Sequence, residues 1–338
     1  MNNFMYEHGQ KNLQSKTFKY AIDLIEPDFK KYEEMELEFS NKEKPIVAMS
    51  GGNESVLSYI ALEENGYEPE AYTLKGLATD STSETKKKIE KKIKIKDIMM
   101  EDKLSKYYLP LTERFFTKDI QTSLYMIPAM MLLGLSGVDQ GKTAVVMGNE
   151  FDCSEYILSN GKRYYPVWEQ AEIMNRAITS LFRSVGINMK VLSILDCFYT
   201  TGIVKMLFAT ESKYLSEVSS CILPHKDSKG EFFDKPCNKC IKCARIIQTL
   251  KALNIDGAIM GYDMSSKIYE KFTVRDKYNN EEEIIQREQD WITLKLLNEK
   301  IPKELEYMDG WNYPKVFPEL PDKLLLYFNK LMSKDVRT

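Results

Sequence analysis

Apolar and polar positions alternate in a regular way from Pro45 onward. The run "PIVAMS" is short, apolar and closed by a serine before two glycines, which predicts a buried strand. "ESVLSYIALEENG" carries apolar residues at helical spacing and predicts a helix ending at Gly66. "PEAYTL" predicts the second strand and "KDIMM" a further short one. Between them lies a lysine-rich stretch whose Ile89 and Ile93, spaced i,i+4, mark one buried helical stripe. A long helix is expected from about Lys118 to Leu135, followed by a strand in "TAVVMGNE". The amphipathic "AEIMNRAITSLFRSVG" predicts a helix and "INMKVLSIL" the next strand. Strands that alternate with helices indicate an α/β fold built on a doubly wound parallel sheet.

In such sheets ligands bind at the carboxyl ends of the strands. Ser50-Gly51-Gly52, Thr73-Leu74-Lys75 and Gly148-Asn149-Glu150 all fall at that edge. Glycines at a strand-to-helix turn let the backbone approach a ligand closely, and the N–H groups of the following helix favour an anion. The plainer alternative is an ordinary βα turn capped by Ser50 or Asn53. Three strand ends meeting at one edge favour the anion site.

The flanks divide the chain further. Residues 1–44 are polar and charged and are expected as an appendage packed on a domain of residues 45–220. A metal-binding knuckle over 221–250 and a mainly helical extension over 251–338 follow.

Charge and composition narrow the class. The chain has 338 residues, a net charge of −3 and a hydrophobic fraction of 43%, which suits a globular protein with a sizeable core. No basic field steers it towards nucleic acid, and the lysine-rich stretch reads as a solvated helix face. The N-terminus lacks the apolar core of a signal peptide, and no apolar run is long enough to span a membrane. A soluble, cytoplasmic protein is expected, with no membrane partner.

The cysteines carry a sharper signal. Cys221, Cys237, Cys240 and Cys243 stand in the pattern C-x15-C-x2-C-x2-C. Two-residue spacings bring thiolates to a common centre, and four satisfy the tetrahedral demand of Zn²⁺. An iron–sulfur cluster or reduced, unligated thiols are the rival readings. His225 is a candidate replacement ligand, whereas Cys153 and Cys197 read as small apolar residues. A fully ligated metal has no open position, so its role is structural.

The sequence "SGG-x-E-S" after a strand, together with the downstream cysteine pattern, resembles the PP-loop ATP pyrophosphatases, a HUP-like α/β superfamily. Within it, the 7-cyano-7-deazaguanine synthase group of queuosine biosynthesis is the most similar, over roughly residues 45–250. The resemblance implies ATP, Mg²⁺ and Zn²⁺. It assigns the pyrophosphate to Ser50, Gly51, Gly52 and Ser55, and further nucleotide contacts to Gly148 and Asn149; Asn53 in the same turn and Thr73 at the same strand edge are expected to join them. Glu54 and Asp152 become the carboxylates for Mg²⁺. Thr201 and Lys205 echo the family's Thr-Lys helix start, Lys205 lying near the α-phosphate. The zinc ligands map onto Cys221, Cys237, Cys240 and Cys243. Two departures stand out: Glu54 replaces the usual aspartate, and Asn238 replaces the glycine of the family's Pro-Cys-Gly-x-Cys.

The activity implied is an AMP-forming ligase reaction in which a carboxylate or amide oxygen is adenylated and then attacked by a nitrogen nucleophile. The acceptor is a small molecule, deazapurine-like or another carboxylate. Two alternatives stand beside it: a tRNA-modifying relative of thiolation or lysidine type, and a non-catalytic binding module with a decayed ATP site. A homo-oligomer or a protein partner would engage the extension over 251–338.

Overall fold

The computed structural model describes residues 35, 37–75, 89–99, 129–154, 157–159, 162–164, 170–220, 236–267, 287–301, 303 and 319–336. Strands β1 (Pro45–Ala48), β2 (Glu70–Lys75), β3 (Ile95–Met99), β4 (Ala144–Val146) and β7 (Lys190–Leu192) form one sheet. Their order is β3-β2-β1-β4-β7, and every pairing is parallel. The order reverses at β1, because β1 pairs with β2 on one side and with β4 on the other. Crevices for ligands in open parallel sheets lie at such a reversal.

The side-chain alternation along β1 builds two cores. Val47 faces one layer, with helices α1 (Asn53–Glu64) and α5 (Thr200–Ala209); Ile46 faces the other, with α2 (129–138) and α4 (Glu172–Ser184). Helices on both faces are compatible with the doubly wound class. Outside the first layer, α8 (Asp322–Ser333) packs on α5 and α1, and α6 (Ile241–Ala252) packs on α5 and α7 (Arg287–Leu296). Trp291 of α7 and Phe328 of α8 are fully buried there. Leu37 and Phe39 join the same core, and the Phe39 N–H donates to Glu319 O at 2.9 Å.

Several elements differ in extent from the sequence pattern. Among the described residues α2 runs past Leu135 to Val138. Its Gly134 and Gly137 are packing glycines, because a Cβ at either would collide with Phe182 or Ile46. The expected strand over 187–195 narrows to Lys190–Leu192. There the Ser193 hydroxyl donates to Asn149 O at 2.7 Å and accepts the Leu195 N–H at 3.1 Å, which turns the chain. Ile89 and Ile93 are both buried while Lys91, Lys92 and Lys94 are exposed. A hairpin of β5 (Ile157–Ser159) and β6 (Lys162–Tyr164) was outside the expected pattern, although Asn160-Gly161 is a strong hairpin dipeptide. The short helix α3 (Phe151–Ser154) precedes it.

The amino ends of the strands are tied together by Glu43. Its carboxylate accepts from Lys190 at 2.6 Å, from Ser40 at 3.0 Å and from Thr143. Burial would push this carboxyl up, but Lys190 and the two hydroxyls outweigh it and hold it below its ordinary range. Its stabilisation is therefore fully present above the ordinary value of 4.5 and fades as the pH falls through the lower folded-state value. Glu43→Gln should cost about 2 kcal/mol near neutral pH, the loss of one partly buried charge-assisted contact. Urea titrations from pH 3 to 7 should also show a weaker acid dependence in the variant than in the wild type. Equal stability of the two proteins at pH 7 would contradict this role.

Candidate functional site

The turn after β1 supplies the first wall. Gly51 has φ +79°, a left-handed conformation that glycine adopts without a Cβ penalty. Gly52, not Ser50 or Asn53, is the N-cap of α1, and it has no side chain with which to cap the helix. The Ser50 hydroxyl instead lies 3.1 Å from the Ser55 hydroxyl and accepts the Gly52 N–H at 3.3 Å. Ser55 in turn donates to Gly52 O at 3.2 Å. These bonds hold the turn open. No acceptor among the described residues meets the N–H groups of Gly51, Glu54 or Ser55. Uncapped N–H groups at the start of a helix form an anion-binding concavity.

The neighbouring strand ends complete the shape. A Cβ on Gly148 would lie 3.1 Å from the Ser55 nitrogen and 3.2 Å from Glu54 Cβ, so the bare backbone of β4's end abuts the first turn of α1. The Glu54 carboxylate hangs over the turn: a Cβ on Gly52 would meet its Oε2 at 3.1 Å. Thr73 lies one residue beyond the rung Ala48–Tyr72, and its buried hydroxyl has no partner among the described residues. Asn53 is fully buried, and neither polar atom of its amide has a partner among the described residues. An unpaired buried amide is costly, and a ligand or its hydration can satisfy it.

The other assigned residues are distributed differently. Asn149 points its amide at Asn175 of α4, at 3.5 Å, away from the turn's own bonds. Asp152 falls within α3, its side chain lying outside the described part. Lys205 does not open its helix; α5 begins at Thr200, which puts Lys205 in the second turn, half-buried. Thr200 donates to the Glu150 carboxylate, whose other oxygen lies 3.8 Å from the Arg245 guanidinium.

Three features at this edge escaped the sequence pattern. Arg245 arrives from α6, almost a hundred positions beyond Glu150 in the chain. Asp196, in the turn after β7, is buried; desolvation, then the Glu172 carboxylate, push its carboxyl above the usual range. Ser220 accepts the Asn53 N–H at 3.2 Å across 167 positions. None carries a local motif.

The cysteine cluster is compact. The sulfurs of Cys237, Cys240 and Cys243 all lie within 4.8 Å of one another. The separations are 3.6 Å for Cys237–Cys243 and 3.5 Å for Cys240–Cys243. Tetrahedral Zn²⁺ with sulfur at about 2.3 Å would set its ligands about 3.8 Å apart. The N–H groups of Lys239 and Cys240 both point at Cys237 Sγ from 3.2 Å, and that of Cys243 points at Cys240 Sγ from 3.4 Å. Metal-bound thiolates receive such bonds from their surroundings. Asn238 has φ +54°, the left-handed region where asparagine is the best substitute for glycine. That conformation explains how the knuckle tolerates asparagine there. Three cysteines can thus hold a metal and suit zinc, whereas Cys221 and His225 lie outside the described residues. Cys153 and Cys197 are buried, and the Cys153 thiol points at Gln170 Oε1 from 3.8 Å.

No helix among the described residues is long and apolar enough to cross a membrane. Comparison with protein-family models and with curated proteins finds no match to this chain.

Proposed function

We propose that the chain is an AMP-forming, PP-loop-type ATP pyrophosphatase that activates a carboxylate or amide oxygen of a small molecule for attack by a nitrogen nucleophile, in the manner of 7-cyano-7-deazaguanine synthases. The observation that carries this reading is the uncapped turn Ser50-Gly51-Gly52 at the reversal of the sheet, with unpaired N–H groups on α1 and the bare Gly148 beside it. In this reading Ser50, Gly51, Gly52, Asn53 and Ser55 bind the pyrophosphate, while Thr73, Gly148 and Asn149 border the nucleoside.

Charge supports a cation beside the phosphates. Glu54 places a carboxylate over a turn that otherwise attracts anions, and repulsion between it and a bare pyrophosphate is relieved by Mg²⁺. Glu54 and Asp152 would hold that ion. Fixed N–H groups facing the leaving pyrophosphate would stabilise its developing charge without reorganising. Lys205 would serve the α-phosphate after a side-chain reorientation along α5. Zn²⁺ on Cys221, Cys237, Cys240 and Cys243 would be structural.

A small-molecule acceptor is favoured over tRNA because Lys91, Lys92 and Lys94 surround buried isoleucines as the wet side of a packed segment. A cytoplasmic location follows from the same chemistry. The test is product analysis with ATP, Mg²⁺, ammonia and a panel of carboxylic acids including 7-carboxy-7-deazaguanine. Acid-dependent AMP and pyrophosphate are expected in equal amounts. ADP as the main product, or no turnover with any acid by a protein that binds ATP, would overturn the reading.

A further inference from the structure

The segment from Leu215 to Ser220 belongs to neither motif, yet it touches the Ser-Gly-Gly turn and packs on the turn that is bonded to the cysteine knuckle. At its carboxyl end it crosses the Ser-Gly-Gly turn. The Ser219 N–H donates to Gly51 O at 3.0 Å, and the Ser220 hydroxyl accepts the Asn53 N–H at 3.2 Å. A Cβ on Gly52 would lie 3.4 Å from that hydroxyl, the same distance as from Ser50 Oγ. Ser220 therefore shares the shell of atoms around the turn and occupies one N–H group of the helix start. Beside it, Ser219 is 4% exposed and its hydroxyl has no partner among the described residues, like the amide of the fully buried Asn53.

At its amino end the segment is linked to the cysteine knuckle through a second turn. The 3₁₀ turn Leu215–Glu217 packs against a second one, Ala258–Met260. The next residue, Gly261, accepts from Asn238 Nδ2 at 3.2 Å, and the Asp263 N–H donates to Asn238 Oδ1 at 3.0 Å. Asn238 stands between Cys237 and Cys240. A continuous path of packed and hydrogen-bonded groups thus runs from the knuckle to the turn.

We infer that Ser220 is a phosphate ligand of the turn, and that the strap 215–220 couples it to the cysteine knuckle, so that metal occupancy sets the affinity for pyrophosphate. This rests on reading the turn as a pyrophosphate site. A hydroxyl both accepts and donates. Without ligand it accepts the Asn53 N–H; with ligand, a phosphate oxygen takes that N–H and the Ser220 O–H donates to phosphate. Alanine can do neither, and threonine can do both.

Calorimetric titration of the full chain with pyrophosphate and with α,β-methylene-ATP tests this, using zinc-loaded and chelated protein. Ser220→Ala should weaken pyrophosphate binding about tenfold, a charge-assisted bond lost against a neutral one released. Ser220→Thr should recover most of it. Zinc content and thermal midpoint should match the wild type in both. Chelation should weaken binding in the wild type but add little in Ser220→Ala, the non-additivity of groups acting as a unit. Asn238→Gly keeps the left-handed backbone and deletes both ties to Gly261 and Asp263. It should retain zinc and still weaken pyrophosphate binding about threefold, which answers the objection that chelation merely unfolds the chain. Wild-type affinity in Ser220→Ala overturns the ligand role. Equal chelation factors in wild type and Ser220→Ala, an unaffected Asn238→Gly, or a chain that carries no metal overturns the coupling. A folded, zinc-loaded wild type that binds neither ligand removes the pyrophosphate site itself, and this inference with it.

Discussion

Gly52→Val should abolish ATP binding and leave the fold standing. Gly52 has φ −82° and ψ 173°, extended backbone that valine adopts readily. The new Cβ would lie 3.1 Å from Glu54 Oε2, the movable end of a half-exposed side chain, and 3.4 Å from the hydroxyls of Ser50 and Ser220. No backbone atom is among these nearest neighbours, so a small shift relieves the contact. The valine methyls extend farther and fill the space over the open N–H groups. Losing two charge-assisted hydrogen bonds at about 1.5 kcal/mol each corresponds to roughly a hundredfold in affinity. Calorimetry with α,β-methylene-ATP should therefore find no measurable binding, while the far-UV spectrum and zinc content stay unchanged. Gly51→Val is the control with the opposite profile. At φ +79° a β-branched residue is strained, so this variant should also lose stability, by about 1–2 kcal/mol or more. Undiminished affinity in Gly52→Val would make the turn merely a turn.

That contrast also shows what a sequence can and cannot reveal. Ser50, Gly51, Gly52 and the helix behind them are contiguous, and their chemistry depends on local backbone geometry. The strand-to-helix pattern alone therefore put them at the carboxyl edge of a parallel sheet. The Cys237, Cys240 and Cys243 spacing is local for the same reason. The partners of these motifs are not local. Ser220 meets Asn53 across 167 positions, and Glu43 meets Lys190 across 147. Neither serine nor glutamate differs in its own neighbourhood from any surface residue. In α2, Gly134 and Gly137 serve close contact with Phe182 and Ile46, a role that depends on residues distant in the chain. Asn238 had the reverse fate: an apparent departure from the knuckle pattern is a residue suited to the left-handed backbone there.

Cys240→Ser should strip the metal and lower the thermal midpoint, and its value as a test lies in what it preserves. Cys240 is the N-cap of α6, its sulfur accepting the Cys243 N–H. Serine is among the best N-cap residues, so the cap survives the substitution. A hydroxyl is, however, a poor soft ligand, so affinity for zinc falls. Any loss of stability then reports the metal and not the helix end. The loss should be large, because metal binding at such a site is folding free energy. It also reaches beyond the knuckle: α6 packs on α5 and α7, and carries Arg245 towards Glu150. Elemental analysis should find about one zinc per wild-type chain and well under half of that in the variant. The thermal midpoint should fall by at least about 5 °C. Chelation should bring the wild type down to the variant's midpoint and do little more to the variant itself, since one event underlies both. A wild-type chain purified without zinc would remove the site. Losses from chelation and from Cys240→Ser that simply add would show that the cysteine stabilises the knuckle by packing alone.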